Sequence, residues 1–537
     1  MPDQIVLTGL GVGLSSVVGQ VFKVAAHAAL PGRAKSKDVN LEAPSLREAI
    51  DSVASDLAAL GQQAGGASAE IFEALTYLLE DEELFELAEA NISEGWNAAS
   101  AYAMAVDEFG ELLGGDPTFA ERVADLQDLS KRVQAKLAGI ELSLNLPTEG
   151  TLILVSEDFS PADTAQFTSA VKGVVTTKGG PTSHTSIICR SRNIPAVVSC
   201  SEAEKLQDGD SVLVDPVGDR VVLGGAVSDA TPALDFVAIS DKPIVAVRAN
   251  IGTLEDAQTA ASTIADGVGL FRTELLYLNE RTAPSIAQQT EQYSKILSAA
   301  PSGPIVVRTI DAGSDKPVAF LDMGEEDNPA LGVRGYRLIV EHRSFIESQL
   351  ISLEAARVAS GREVWVMAPM ISTVQEASDF CRMAREIGKF KVGIMVETPS
   401  IAAMIADLKG IVDFVSVGTN DLSQYLFAAD RMNPALGTLL TPWQPALIRT
   451  LGNIAEAAKT AGISAGVCGE SASDPAFAIV LAGLGMGSVS ASPSQVNVVS
   501  QALSSLDLEK ARQVANLALG ASSAESAKSA VLAALAN

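Results

Sequence analysis

One histidine lies in a segment whose residue types could hold a covalent phosphoryl group. The sequence GGPTSHTSIICRSRNIPAVV, residues 179–198, places His184 between two hydroxyl residues and shortly after two glycines. Thr182 or Ser183 can cap the helix that TSIICRS begins, so we expect His184 in its first turn. A phosphoryl group on this imidazole would meet free backbone N–H donors and the positive end of the helix dipole. A core histidine is the alternative, and the glycines and hydroxyl groups around His184 disfavour it.

Further polar side chains come at the ends of apolar segments in the second half of the chain. Eight such segments are IVAVRAN (244–250), GVGLFR (267–272), IVVRTI (305–310), VWVMAPM (364–370), KVGIMVET (391–398), FVSVGTN (414–420), SAGVCGE (464–470) and SVSASP (488–493). Their alternation with helical segments predicts a TIM-type (β/α)8 barrel over residues 242–537, with a doubly wound sheet as the alternative. The barrel is favoured because it gathers the Arg, Glu, Asn, Asp and Cys residues of these segments at its C-terminal rim.

The first half of the chain predicts two further units. Residues 1–20 are expected to form a strand and glycine-rich turns, and residues 141–225 carry short apolar runs between Gly, Asp and Pro turns, which is typical of a compact α/β domain. Residues 21–140 show apolar side chains at three- and four-residue spacing, which predicts an inserted helical bundle. Residues 226–241 are expected to link this part to the barrel. The predicted fold class is therefore multidomain α/β with a C-terminal barrel.

The composition excludes several classes of protein. Hydrophobic residues make up 47% and charged residues 19% of the 537 positions, which indicates a folded protein. No apolar stretch reaches the roughly 20 residues of a membrane span, and the N-terminus lacks a signal peptide, so we expect a cytoplasmic protein. A net charge of −28 disfavours nucleic acid and anionic lipid, and favours a basic protein partner. The cysteines are too scattered for a disulfide framework or a zinc site.

The histidine segment resembles the phosphohistidine motif of the phosphoenolpyruvate-utilising enzymes, GG-x-TSH-x-x-I-x-x-R followed by IPAVV. The resemblance continues in the family's order through FRTELLYL, RTIDAGSDKP, NPALGVRGYRL, MAPMISTVQEA, GIMVETPSIAAMI, SVGTNDLSQYLFAADR, GVCGE and SASPS. LLEDEEL and ERVADLQDLSKRV are similar to the carrier-docking helices found only in the Enzyme I branch of the family. One departure is Pro181, where Enzyme I usually has a basic residue.

This resemblance implies an activity and its partners. A phosphoryl group would pass from phosphoenolpyruvate to His184, releasing pyruvate, and then to the phosphocarrier protein HPr, as the first step of sugar uptake. It also implies that residues 21–140 bind HPr and that the barrel binds phosphoenolpyruvate and forms a homodimer. Because His184 and the barrel rim belong to different domains, we expect the α/β histidine domain to swivel about residues 226–241.

The rim arginines suit the charges of such a substrate. Phosphoenolpyruvate carries a phosphate and a carboxylate, and the planar fork of arginine matches both groups. Arg272 and Arg308 end two successive strand segments, Arg334 follows in a loop, and Arg431 closes the segment GTNDLSQYLFAADR. Four arginines in such positions fit an anion site better than solvated surface charges. The backbone and side chain of Asn420 could hold the substrate carboxylate.

Two carboxylates and one cysteine complete the expected site. Glu397 and Asp421 end neighbouring strand segments and suit Mg²⁺, held by one or two carboxylates plus substrate oxygens. Asp421 therefore counts among the substrate-binding residues as well, and pairing of both acids with the arginines is the alternative. The cysteine that matches Cys468 in the resembled family protonates the enolate, which assigns that role to Cys468; a buried structural cysteine is its alternative. Cys189, Cys200 and Cys381 are expected to be structural.

Three other functions remain open on the sequence alone. Pyruvate phosphate dikinase and phosphoenolpyruvate synthase share these motifs but need an ATP-binding domain, and no glycine-rich nucleotide loop precedes residue 150. A nitrogen-branch paralogue would carry an additional sensory domain at its N-terminus. The third is a scaffold that has lost catalysis, which is disfavoured because every expected chemical position is occupied.

Overall fold

The computed structural model describes most of the chain. Outside the described part lie residues 1–4, 14, 25–29, 65–71, 73–74, 114–119, 141, 181–182, 232–233, 235, 278–279, 314–317, 322–323, 325, 432 and 537. Pro181, the departure from the Enzyme I pattern, and Thr182, one of the two candidate helix caps, therefore lie outside the described residues. Most of the chain divides at residues 233–234 into two compact units.

The first unit is built on a mixed eight-stranded sheet. Its strands are β1 (Val6–Thr8), β2 (Leu10–Val12), β3 (Val17–Lys23), β4 (Leu152–Ser156), β5 (Val171–Thr176), β6 (Ala196–Val198), β7 (Ser211–Asp215) and β8 (Arg220–Leu223), in the order β1-β8-β7-β3-β4-β5-β6-β2. Alternate residues of a strand face opposite sides of a sheet. Accordingly, Ile153 and Val155 of β4 belong to one apolar cluster, and Leu152 and Leu154 belong to another. The sheet is therefore buried on both faces at its centre.

The N-terminal segment contributes more to this sheet than its sequence indicates. One strand is expected within residues 1–20, whereas the structure has three, and β3 continues past residue 20 to Lys23. β3 pairs with β4 in parallel and with β7 in antiparallel orientation, so it lies in the middle of the sheet. Both partners come more than 120 residues later in the chain (residues 152–156 and 211–215), and local patterning carries no information about such distant pairing.

Between β3 and β4 the chain forms a helical bundle. Its described helices are α1 (Val39–Ala64), α2 (Glu82–Ser93), α3 (Ala98–Leu113) and α4 (Ala120–Ala138). One continuous apolar cluster joins them, and it includes Leu46, Leu84, Tyr102 and Leu129. Two short helices follow within the α/β part, α5 (Pro161–Ala165) and α6 (His184–Ser191).

The second unit is a closed parallel barrel. Its strands are β9 (Ala246–Ile251), β10 (Val268–Arg272), β11 (Ile305–Arg308), β12 (Val364–Ala368), β13 (Lys391–Val396), β14 (Phe414–Val417), β15 (Ser464–Val467) and β16 (Ser488–Ala491). Each pairs in parallel with the next, and β16 pairs with β9 to close the barrel. This confirms the predicted fold class, and it excludes the doubly wound sheet. Inside the barrel, Leu270, Val306, Met367, Met395, Phe414 and Cys468 form an apolar cluster.

Helices surround this barrel. They are α7 (Leu254–Ala261), α8 (Ile286–Ala299), α9 (Ile339–Ser360), α10 (Val374–Ile387), α11 (Pro399–Ala402), α12 (Thr419–Phe427), α13 (Pro445–Ala461), α14 (Pro475–Leu484), α15 (Val496–Ser504), α16 (Leu508–Gly520) and α17 (Ala524–Leu535). Many begin at a side-chain cap, such as Thr253 before α7 and Thr373 before α10. Among the described residues, none of the helices combines the length and the apolar character that crossing a membrane requires.

Candidate active site

His184 is the first residue of α6, as its sequence predicts. Ser183 is the N-cap, and its Oγ accepts a hydrogen bond from the backbone N–H of Ser186 at 3.4 Å. The Ser186 hydroxyl donates to the carbonyl of Gly180 at 2.6 Å, which fixes the glycine turn against the helix. The imidazole of His184 is 24% exposed. A half-buried histidine at a helix start can reach a partner's phosphoryl group while the helix N-terminus favours the negative charge.

Two acids hold and face this helix start. The Thr185 hydroxyl donates to Asp158 Oδ1 at 2.7 Å and is also within 3.1 Å of the Phe159 carbonyl, which anchors α6 to the loop after β4. Asp125 of α4 has its Oδ1 at 3.7 Å from His184 Nδ1, so one ring nitrogen faces a carboxylate of the helical bundle. The sequence prediction missed Asp125. Its only sequence signal is its place in ERVADLQDLSKRV, the segment similar to the carrier-docking helices.

In the barrel, arginines and carboxylates alternate in one buried network at the carboxyl ends of the strands. Arg308 pairs with Glu274 and, at 2.8 Å, with Asp311. Arg334 pairs with Asp311 at 3.0 Å and with Asp421 at 3.1 Å. Arg334 is 1% exposed although it lies in a loop, and Arg431 reaches Asp421 at 3.9 Å. The structure thus brings together three of the four predicted arginines and one predicted acid, and adds Glu274 and Asp311.

Glu397 lies beside this network without joining it. It is 1% exposed, and its Oε2 accepts a hydrogen bond from the backbone N–H of Met370 at 2.9 Å. Within the described residues no arginine or lysine pairs with it. Burial, followed by the neighbouring Asp421 and Asp311 charges, raises the pKa of Glu397 to about 8. Burial and the neighbouring negative charges destabilise the ionised form of Glu397. A bound cation would stabilise that form.

This environment fits a divalent cation held partly by the substrate. Asp421 pairs with Arg334 and Arg431, whereas Glu397 pairs with no arginine within the described residues. The alternative that both acids are ion-pair partners therefore holds for Asp421 only. Among the described residues, no group of three or more His, Cys, Asp or Glu side chains is arranged to hold a metal ion. Two carboxylates with remaining positions filled by substrate oxygens and water would suit Mg²⁺, which rarely uses a cage made only of protein ligands. Glu397 and Asp421 are the residues that would hold it.

A glycine makes room for Glu397. A Cβ atom at Gly418, just after β14, would lie 2.6 Å from Glu397 Oε1 and 2.8 Å from its Cγ. Contacts below 3.0 Å require the neighbour to move, so only glycine leaves the carboxylate in its observed place. The sequence shows this glycine in SVGTND, but only the structure shows which side chain it accommodates.

The remaining predicted residues lie at the same end of the barrel. Arg272 ends β10, and within the described residues no hydrogen bond or ion pair joins its side chain to the network. Asn420 lies in the first turn of α12, where its Oδ1 accepts from the Glu470 N–H at 3.4 Å. Cys468 follows β15 and is 1% exposed, with its Sγ at 3.7 Å from the carbonyl oxygen of Val417. Burial raises the pKa of the Cys468 thiol to about 11.

Cys468 therefore keeps its proton at neutral pH, as a proton donor must. It lies in the apolar cluster with Met395, and Arg308 Nη1 is 4.0 Å from the Met395 sulfur, so this cluster adjoins the charged network. The same burial is what a purely structural cysteine would show. Cys189, Cys200 and Cys381 are buried as free thiols away from these residues in sequence.

Comparisons with known proteins identify the family of the chain. The PEP-utilising enzyme PEP-binding domain matches residues 233–508, the mobile domain of the same enzymes matches 148–217, and their N-terminal domain matches 8–122. A phosphoenolpyruvate-protein phosphotransferase of Streptomyces coelicolor is 39% identical over 98% of this chain and 99% of its own length. One of Haloferax volcanii is 37% identical over 86% of each chain.

A multiphosphoryl transfer protein of Rhodobacter capsulatus is 35% identical over 86% of this chain, which spans 59% of that longer protein. The histidine segment, the barrel network and the three domain matches thus agree over nearly the whole sequence. This chain belongs to the phosphoenolpyruvate-utilising enzymes.

Proposed function

We propose that this enzyme is a phosphoenolpyruvate-protein phosphotransferase. It transfers the phosphoryl group of phosphoenolpyruvate to His184, releases pyruvate, and passes the group on to HPr as the first step of sugar uptake. The observation that carries this proposal is the position of His184 at the capped start of α6, where its side chain is 24% exposed. The names of the relatives that match almost full length support the same reaction.

In the first half-reaction, the rim arginines bind the substrate. Arg272 and Arg308 neutralise charge on the phosphoryl group, and Asn420 binds the carboxylate. Arg334 and Arg431 complete the anion site while they also pair with Asp421. Mg²⁺, when bound by Glu397 and Asp421, would offset the charge that builds on the transferring oxygens. His184 attacks the phosphorus in line with the leaving enolate oxygen, so the P–O bond breaks as the N–P bond forms.

The enolate that remains must take up a proton on its methylene carbon. Cys468 donates that proton, which fits a buried thiol whose pKa is raised to about 11 by burial. Phosphoryl transfer and protonation are separate events, because only the second concerns the carbon atom. Loss of the thiol is therefore expected to affect pyruvate formation and to spare exchange of the phosphoryl group with HPr.

The second half-reaction uses the first of the two compact units. HPr docks on the helical bundle of residues 21–140, and the net charge of −28 favours a basic surface on that partner. His184 and the rim arginines belong to different compact units, so the histidine domain swivels about residues 226–241 between its two partners. The barrel of residues 242–537 forms the homodimer.

Mapping the phosphorylated residue tests this proposal. The enzyme is incubated with phosphoenolpyruvate and Mg²⁺, and the acid-labile phosphate is located by mass spectrometry. Label should appear on His184 alone, and His184→Ala should abolish it. His342→Ala, which removes a histidine of α9 in the barrel unit, is the matched control and should be labelled normally. Phosphate on His27 or His342, or an unlabelled wild type, would refute the proposal; the last result would favour a scaffold without catalysis.

A further inference from the structure

A buried glutamine joins two of the strand ends from which the charged network of the barrel arises. Gln349 belongs to α9 and its side chain is fully buried. Its Oε1 accepts a hydrogen bond from the backbone N–H of Ile310 at 3.0 Å, and its Nε2 donates to the hydroxyl oxygen of Thr273, also at 3.0 Å. The same Nε2 lies 3.0 Å from the hydroxyl of Tyr293 on α8. One side chain therefore connects the segment after β11 to the segment after β10.

Both of these strand-end contacts lie next to residues of the charged network. Thr273 directly precedes Glu274, and its hydroxyl donates to the carbonyl oxygen of Arg308 at 2.8 Å. Ile310 directly precedes Asp311. Glu274 and Asp311 are acids that pair with Arg308. The glutamine therefore holds the backbone beside this arginine and beside both of these acid partners.

The two contacts require opposite hydrogen-bonding groups. The Ile310 N–H can only donate, so it needs an acceptor. The Thr273 hydroxyl gives its one proton to the Arg308 carbonyl, so its oxygen can only accept from Gln349. An amide supplies the acceptor and the donor in one neutral side chain. An apolar side chain in its place would leave both groups buried with one hydrogen bond fewer, which is unfavourable.

A second buried glutamine nearby offers a comparison. Gln289 of α8 is also fully buried. It accepts a hydrogen bond from the Tyr277 hydroxyl at 3.3 Å and donates to the Pro284 carbonyl at 3.0 Å and to the Ser348 hydroxyl at 3.5 Å. Within the described part of the chain, none of its hydrogen-bond partners belongs to the charged network. The two glutamines share residue type and burial, and they differ in what they hold.

We propose that Gln349 is a positioning residue for phosphoenolpyruvate binding. It fixes the separation of the two strand ends that carry Arg308 and its acid partners, so the guanidinium is in place before the substrate arrives. A donor that is already in place costs no reorganisation when charge develops on the transferring group. This inference depends on the role proposed above for Arg308, the neutralisation of charge on the phosphoryl group.

Methionine variants of the two glutamines separate positioning from stability. Gln349→Met and Gln289→Met each remove a buried amide and keep a side chain of similar length. In urea, the fluorescence of Trp365 and Trp443 in a Trp96→Phe background should show that both full-length variants lose barrel stability to a similar extent. In steady-state assays of pyruvate formation, kcat/KM for phosphoenolpyruvate should fall at least about tenfold in Gln349→Met. It should stay close to the wild-type value in Gln289→Met.

The conservative variant Gln349→Glu adds a pH profile. Burial raises the pKa of a carboxyl group at such a position, and the protonated form can accept through one oxygen and donate through the other, as the amide does. The ionised form can only accept, so it lacks the donor that Thr273 needs. The neighbouring hydroxyls of Tyr277 and Tyr293 stay protonated, because burial raises the pKa of Tyr277 and raises that of Tyr293 to about 12. Pyruvate formation by Gln349→Glu, relative to the wild type at the same pH, should therefore decrease as pH rises.

Contrary results would overturn the inference. Equal activities of Gln349→Met and Gln289→Met would show that the buried amides only stabilise the barrel. If Gln349→Met does not fold, the pH profile of Gln349→Glu decides, and a relative activity that does not change with pH refutes positioning. Arg308→Ala tests the role on which the inference depends. Normal pyruvate formation by Arg308→Ala would refute that role and positioning together, whereas an inactive Arg308→Ala beside a normal Gln349→Met would refute positioning alone.

Discussion

Replacing Glu397 by glutamine is expected to stabilise the barrel while it abolishes activity. The folded-state pKa of this buried acid is about 8, against an ordinary value of 4.5. Between these pH values the unfolded chain releases the proton and the folded chain keeps it, so stability falls as pH rises from 4.5 toward 8. Linkage at ~1.36 kcal/mol per pH unit gives a destabilisation of about 3 kcal/mol at pH 7 and about 1 kcal/mol at pH 5. Glutamine is neutral and keeps an oxygen for the Met370 N–H, so it removes this destabilisation.

Urea unfolding with a metal chelator measures the effect. Trp365 and Trp443 both lie in the barrel unit, so in a Trp96→Phe background tryptophan fluorescence follows that unit alone. The free energy of unfolding of Glu397→Gln should exceed that of the wild type by about 3 kcal/mol at pH 7 and by about 1 kcal/mol at pH 5. Glu363→Gln is the matched control, since a hydrogen bond from Trp365 lowers the pKa of this more exposed acid. It should not be stabilised at either pH.

The pH dependence decides the interpretation. A Glu397→Gln barrel less stable than wild type at pH 7 would mean that the carboxylate is already neutralised by a protein partner. A difference between the two proteins that does not change from pH 5 to pH 7 would show that Glu397 titrates normally. Addition of Mg²⁺ with phosphoenolpyruvate should make the wild type more stable than Glu397→Gln, because only the wild type then gains binding free energy.

Three further predictions concern the two half-reactions. Gly418→Ala should lower the rate of pyruvate formation at least about tenfold at ordinary Mg²⁺, as measured by steady-state kinetics. The new Cβ would lie 2.6 Å from Glu397 Oε1, and displacing a metal ligand reduces the stabilisation of the transition state. Cys468→Ala should lower pyruvate formation by the factor of roughly 10²–10⁴ typical of a lost general acid, while phosphoryl exchange between His184 and HPr stays near normal in a labelled-HPr assay. A fragment of residues 1–235 should accept phosphate from phosphorylated HPr but not from phosphoenolpyruvate, as gel labelling would show.

Each of these has a contrary outcome. Gly452→Ala, whose Cβ would meet Leu484 at an ordinary 3.5 Å, is the control for Gly418→Ala, and equal activities would remove the steric argument. Loss of HPr exchange in Cys468→Ala as severe as its loss of pyruvate formation would indicate a structural cysteine. Direct labelling of the fragment by phosphoenolpyruvate would contradict the division of labour between the two units.

Features set by short stretches of sequence were predictable. The start of α6 follows from a capping serine before His184, and capping depends on neighbouring residues only. The eight barrel strands have four to six residues each, and most of them are dominated by apolar side chains, a pattern that buried parallel strands impose locally. Because parallel strands end at one rim, residues at or just after the strand ends, such as Arg308 and Glu397, could be predicted to lie near one another before their contacts were known.

What depends on residues far apart in the chain was decided by the tertiary structure. Arg334, in a loop, is buried because Asp311 and Asp421 approach it from segments 23 and 87 residues away. The ion pairs of Glu274 and Asp311 likewise depend on the folded chain, and β3 lies at the centre of its sheet because it pairs with strands that are distant in sequence. Side-chain type is a local property, whereas burial and charge pairing are fixed only when the chain has folded.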